Sequence, residues 1–179
     1  MSDPVFTAPY YDVVFKAIFG NENNKRPLMS LLSSILDLPI ENFEALDILN
    51  GELLVDHVSQ KSSRLDLRIR LKDGIIIDVE LQVVDHIAYK ERILYYWSKL
   101  YHAAHTKGEL FSKLKKCVVI NIVYFNLFDT PRMHTRFKVL ELLEHFAFTE
   151  HLEFHVLELS KLNAYNKGIE NDLLLNWAE

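Results

Sequence analysis

Cysteine is almost absent. Cys117 is the only one, so no intrachain disulfide can form and a cytoplasmic setting is expected. A single cysteine also excludes cysteine-rich zinc sites, and the eight histidines are scattered, with no pair at zinc-protease spacing. The five glycines stand at positions 20, 51, 74, 108 and 168. None are close enough together for a dinucleotide turn or a phosphate-cradling loop, which argues against classical nucleotide-dependent enzymes. No nucleophile-elbow pattern supports a serine triad. No membrane-length apolar run and no signal-peptide pattern appear. Positive charge is also in deficit: 20 Lys and Arg stand against 25 Asp and Glu, for a net charge of −5. Dedicated nucleic-acid binders are commonly basic, so this balance weighs mildly against DNA. It does not exclude DNA, since a local basic surface can suffice.

What is present is the composition of an ordinary globular protein, 49% hydrophobic and 25% charged over 179 residues. That length fits one domain spanning 1–179. There is no internal repeat, low-complexity tract or linker. The expected fold class is α/β (α+β), a single domain with a mixed central sheet flanked by helices.

The most informative stretch is Arg64–Gln82, RLDLRIRLKDGIIIDVELQ. Two runs alternate apolar and polar residues, the pattern of strands with one buried face. Lys72-Asp73-Gly74 between them signals a hairpin turn. A three-residue loop with Gly74 left-handed pairs Leu71 with Ile75, Ile69 with Ile77, Leu67 with Val79 and Leu65 with Leu81. The other face then pairs Arg70 with Ile76, Arg68 with Asp78, Asp66 with Glu80 and Arg64 with Gln82. A slip of one residue would set apolar groups against charges, so burial selects this register.

That register places Asp66 directly opposite Glu80, where like charges repel. A divalent cation between them would turn repulsion into attraction, and Mg²⁺ is typically held by one or two carboxylates plus waters and phosphates. Asp66 and Glu80 are therefore the candidate metal ligands. The competing reading is a solvated outer face on which Arg64 and Arg68 neutralise the acids.

Pro9–Phe19 reads as a first helix closed by Gly20, with Asp12 and Lys16 one turn apart on one face. Arg26–Leu38 reads as a second, with Leu28, Leu31, Leu32, Ile35 and Leu36 on its apolar side and Pro39 as the stop. A short strand is expected over Ala45–Leu49. Glu52 beyond it is either a third acid of the centre or an exposed strand-end acid. Asp85 is the expected N-cap of a long helix, Ile87–Lys107, ended by Gly108 and facing the sheet with Ile87, Leu94, Trp97, Tyr101 and Ala104. Arg92 lies off that stripe, near the polar end of the sheet. Glu109–Lys116 reads as a short amphipathic piece. Cys117–Phe125 is a near-continuous apolar run suited to a central strand, with Cys117 a core thiol. Two further strands are expected at Phe137–Leu143 and Leu152–Leu159, and a helix at Asp172–Trp177.

The order Asp, hairpin, Glu-x-Gln, long helix resembles the PD-(D/E)xK nuclease core, an αβββαβ restriction-endonuclease-like arrangement. Several stretches resemble, more specifically, the Rpn-type recombination-promoting nucleases, also labelled PD-(D/E)xK family transposases. They are Asp12-Val-Val-Phe-Lys16-Ala-Ile-Phe19-Gly20, Arg64-Leu-Asp66, Asp78-Val-Glu80-Leu-Gln82, Arg92-Ile-Leu-Tyr95-Tyr96 and Leu157-Glu-Leu-Ser-Lys161. The resemblance implies a Mg²⁺-dependent DNA endonuclease that promotes recombination or transposition, with Mn²⁺ as the other candidate ion. It implies Asp66, Glu80 and Gln82 as catalytic residues, and the backbone carbonyl of Leu81 as a further ligand. Gln82 stands where the wider superfamily has Lys, and Gln is common there in the Rpn-type group. Asp12 lies in a segment that packs near the centre in that family, and Lys16 and Arg92 become candidate phosphate contacts. DNA is the implied partner, with a homodimer as a candidate assembly, and chains of this family usually continue past a C-terminus like this one. The alternatives are a catalytically silent DNA-binding protein of nuclease-like fold, and a protein-interaction module.

Overall fold

The structure of the protein, a computed structural model, describes residues 8–49 and 65–164. Two helices come first, α1 (Ala8–Phe19) and α2 (Arg26–Leu36). Pro27 sits at the start of α2, where its missing N–H costs nothing. The helix ends where Asp37 turns left-handed at φ 55°, two residues before Pro39. A six-stranded sheet follows: β1 (Asp47–Leu49), β2 (Leu65–Arg70), β3 (Ile76–Gln82), β4 (Cys117–Val123), β5 (His134–Phe137) and β6 (Leu152–Glu158). Its spatial order is β1-β2-β3-β4-β6-β5. The β3, β4 and β6 strands run parallel; β1, β2 and β5 are antiparallel to their neighbours. Helix α3 (Tyr89–Ala103) makes the crossover from β3 to β4.

The central hairpin has the register that burial selects. Asp66 pairs with Glu80, Leu67 with Val79, Arg68 with Asp78 and Ile69 with Ile77. Leu71 N–H donates to the Ile75 carbonyl and Gly74 N–H to the Leu71 carbonyl, both at 2.9 Å, closing the three-residue loop. Gly74 takes φ +90°, a conformation side-chain-bearing residues rarely adopt.

Strand alternation then builds two cores. On one face Leu67, Ile69, Ile77, Val79, Leu81, Val118, Ile120 and Ile122 pack with Phe15 of α1 and Leu28, Leu31, Leu32 and Ile35 of α2. On the other, Cys117, Val119, Val123 and Val156 pack with Tyr89, Ile93 and Leu100 of α3. Each fully buried Leu or Ile contributes roughly 1.5–3 kcal/mol. All seven residues of β4 are buried, as its apolar run and its two parallel neighbours require.

Two expectations are corrected, and a third falls where nothing is described. Helix α3 spans Tyr89–Ala103, not Ile87–Lys107, and Asp85 does not cap it: the N-cap is Ala88, left-handed at φ 61° with no side-chain cap. Its buried stripe is Tyr89, Ile93 and Leu100, while Ile87 and Leu94 are exposed. The strand expected at Phe137–Leu143 lies earlier, at His134–Phe137, and the following apolar residues Leu142 and Leu143 are 86% exposed in a loop. The helix expected at Asp172–Trp177 lies outside the described residues.

Candidate metal centre

Because Leu71 and Ile75 are a hydrogen-bonded pair, alternation makes Asp66 and Glu80 a non-hydrogen-bonded pair. In such pairs the Cα atoms approach to ~4.5 Å and side chains stand closer than elsewhere in a sheet. Position 66 therefore faces position 80 across the hairpin on the side that α3 covers. The row continues through Asn121 on β4 and Val156 on β6. Gln82 stands one row further along, at the shared C-terminal end of the parallel strands.

The solvated-face reading fails on burial. Arg68, Asp78, Glu80 and Gln82 are each 8% exposed or less. Helix α3 lies over this face and turns a polar strand side into an interior. Arg68 pairs with Asp78, its own cross-strand partner, at 3.7 Å between Nε and Oδ1. A carboxylate as buried as Glu80 is costly unless a cation or hydrogen bonds compensate it. A hard divalent cation bound by oxygen donors suits the acids at positions 66 and 80.

Gln82 donates its Nε2–H to the Val84 carbonyl at 2.9 Å. That acceptor fixes the amide orientation, so the side-chain oxygen is the end that can take a hydrogen bond from water. The side chain of Leu81 belongs to the opposite core, leaving only its main chain for the centre.

Lys16 is not gathered here. Helix α1 packs by Phe15 into the core on the opposite face of the sheet, and Lys16 is exposed. Nothing is described of the Asp12 side chain, and Glu52 lies outside the described residues. Arg92 sits on α3 with its guanidinium 5.8 Å from the Tyr89 ring and 5.6 Å from the Tyr96 ring. Among the described residues, no group of three or more His, Cys, Asp or Glu is arranged to hold a metal.

Cys117 is the core thiol expected. Burial pushes its pKa up to about 12, opposed by Arg68 and aided by Asp78. It is no nucleophile, since the thiolate is the reactive form.

Two polar clusters were not anticipated. Glu158, fully buried at the end of β6, accepts the Leu127 and Phe128 N–H groups at 2.6 and 3.1 Å. Its other oxygen lies 2.7 Å from Lys161 Nζ, which also donates to the Phe128 carbonyl at 2.8 Å. The pair clasps the loop after β4 to the sheet end. On the opposite face, Glu153 Oε1 meets His155 Nε2 at 2.8 Å, and His155 Nδ1 meets His134 Nε2 at 2.9 Å. Lys116 and Arg136 flank the same carboxylate. Burial raises the Glu153 pKa, but the His155 and Lys116 hydrogen bonds outweigh it and hold the group below the carboxylate range. Asn121 was also passed over. Its signal was visible: one amide in the middle of CVVINIVYF.

A mixed sheet carrying paired acids on its central hairpin, with helices on both faces, defines a restriction-endonuclease-like core. The chain belongs to the PD-(D/E)XK nuclease family transposases, whose family model matches residues 9–179. No curated protein and no solved structure matches it.

Proposed function

We propose that this chain is a metal-dependent DNA endonuclease that hydrolyses phosphodiester bonds and acts in recombination or transposition. The observation carrying this is the buried Glu80 set across from Asp66 in a non-hydrogen-bonded pair, within a chain of the nuclease family. Asp66 and Glu80 would hold Mg²⁺, or Mn²⁺ in its place, with the Leu81 carbonyl as a third oxygen donor. When bound, the ion lowers the pKa of water and offsets charge growing on the scissile phosphate. Gln82 supplies no charge; its side-chain oxygen orients the attacking water. Arg92, close to the Tyr89 and Tyr96 rings on the helix that covers this face, would be a phosphate contact, and Lys16, on α1, would reach DNA from the other side of the sheet.

Plasmid nicking tests the reading. Wild-type protein with Mg²⁺ or Mn²⁺ is expected to nick supercoiled DNA, and Asp66→Ala to lose at least 100-fold. Equal activity in both proteins, or none in either, would remove catalysis from this site. A catalytically silent DNA-binding protein would instead retain DNA binding in both while neither cuts.

A further inference from the structure

Asn121 is completely buried on β4. Its Oδ1 accepts the Tyr89 hydroxyl hydrogen at 3.2 Å, which leaves the amide nitrogen as the end free to face the neighbouring strand. The other end, Nδ2, is buried with no hydrogen-bond partner among the described residues. A buried amide N–H₂ left unpaired disfavours the fold, and an apolar residue of the same size would not carry that cost. The strand offers such a residue at every other position. Something other than stability therefore accounts for this amide.

The neighbours narrow what it serves. Along its row, β6 presents Val156, which has no side-chain acceptor. On the other side β3 presents Glu80, the register partner of Asn121, one strand spacing of ~4.8 Å away. Both side chains stand on the face under α3, and Tyr89 in the first turn of that helix closes the row from above.

We infer that Asn121 is a positioning residue for the metal centre: its Nδ2–H donates to the Glu80 carboxylate when that group ligates a cation. This rests on the metal-centre reading above. The amide holds the carboxylate oxygen that the ion does not take, leaving the other aimed at the ion. Supporting donors of this kind commonly change metal affinity 10- to 100-fold when removed. Tyr89 does not touch the ion; its hydroxyl holds the other end of the amide.

The test is a Mn²⁺ and Mg²⁺ titration of the full chain followed by melting temperature, with wild type, Asn121→Leu and Tyr89→Phe. Asn121→Leu is expected to raise the metal concentration for half-maximal stabilisation 10- to 100-fold, with nicking recovered at high Mn²⁺. Tyr89→Phe should shift it in the same direction by less. An unchanged half-saturation in Asn121→Leu, beside a wild type that is stabilised by metal, overturns the role of Asn121 and leaves the metal centre intact. A wild type that neither binds metal nor nicks DNA overturns both. Should Asn121→Leu fail to fold, the unaltered protein still decides. The Asn121 side-chain amide signals in a ¹H–¹⁵N spectrum should move and exchange more slowly with solvent on adding Mg²⁺. Signals that stay in place refute the contact.

Discussion

Replacing His134 with glutamine should flatten the acid side of the stability curve. In the Glu153–His155–His134 chain, His134 is pushed down from 6.5 to about 3, first by burial, then by the His155 and Arg136 charges, with Glu153 opposing. A histidine with a folded pKa below its unfolded value binds fewer protons folded than unfolded. Its contribution is present above pH 6.5 and is lost as the pH falls toward 3. The slope is ~1.4 kcal/mol per pH unit for one proton, which integrates to about 2 kcal/mol between pH 7 and pH 5. That is a large share of the ~5–15 kcal/mol that holds a domain together. His155 is lowered as well, chiefly by burial, and acts in the same direction. Glu153 adds its loss only at more acid pH, since its ordinary value is 4.5. Urea unfolding at pH 7, 6 and 5 measures the effect. Wild type should lose at least about 2 kcal/mol across that range, and His134→Gln, which keeps a donor for His155 but cannot titrate, should lose about 2 kcal/mol less. Parallel curves for the two proteins would refute the argument that a neutral, half-buried His134 carries this acid sensitivity.

Two further outcomes follow from the fold. Gly74→Ala should destabilise by about 1 kcal/mol or more, because a Cβ there strains a left-handed turn. The added atom would also lie 3.1 Å from Lys115 Cγ; a thermal melt reads the loss, and an unchanged midpoint would deny the turn its special conformation. Cys117, buried and with its pKa near 12, should resist thiol reagents at pH 8 in the native state and react once urea unfolds the chain. Rapid native-state labelling would contradict its burial.

The hairpin was legible because two independent signals agreed: alternation set which residues must face the core, and Lys72-Asp73-Gly74 set the loop length that lets them. Helix α2 and strand β4 were legible for the same reason, an apolar pattern matched to one period. The covering of the polar strand face was not. Arg68, Asp78, Glu80 and Gln82 read as solvated by type, and only the crossover of α3 buries them. Helix α3 was misplaced because apolar residues at 87, 94 and 101 form a helical stripe of their own. Trp97, Tyr101 and Ala104 of that stripe do pack against the sheet, but Ile87 and Leu94 are exposed, and the buried line runs through Tyr89, Ile93 and Leu100, with the Tyr89 hydroxyl bonded to Asn121. Strand β5 was drawn too late by Val139, Leu140, Leu142 and Leu143, apolar residues that the protein leaves exposed in a loop. The acid pair could be placed from sequence because hairpin register is local; Asn121 could not, because its place beside Glu80 depends on a parallel pairing made across the whole of α3.

That difference in range has a kinetic consequence. A hairpin closes in ~1–10 μs, whereas parallel pairing waits on a longer loop closure and is intrinsically slower. During refolding, Asp66 and Glu80 meet first, in water and without cover. The amide of Asn121 and the lid of α3 arrive together afterwards, since the helix is the connection that delivers β4. If the proposed centre binds a cation, tight binding would report a finished molecule and loose binding a chain still being assembled.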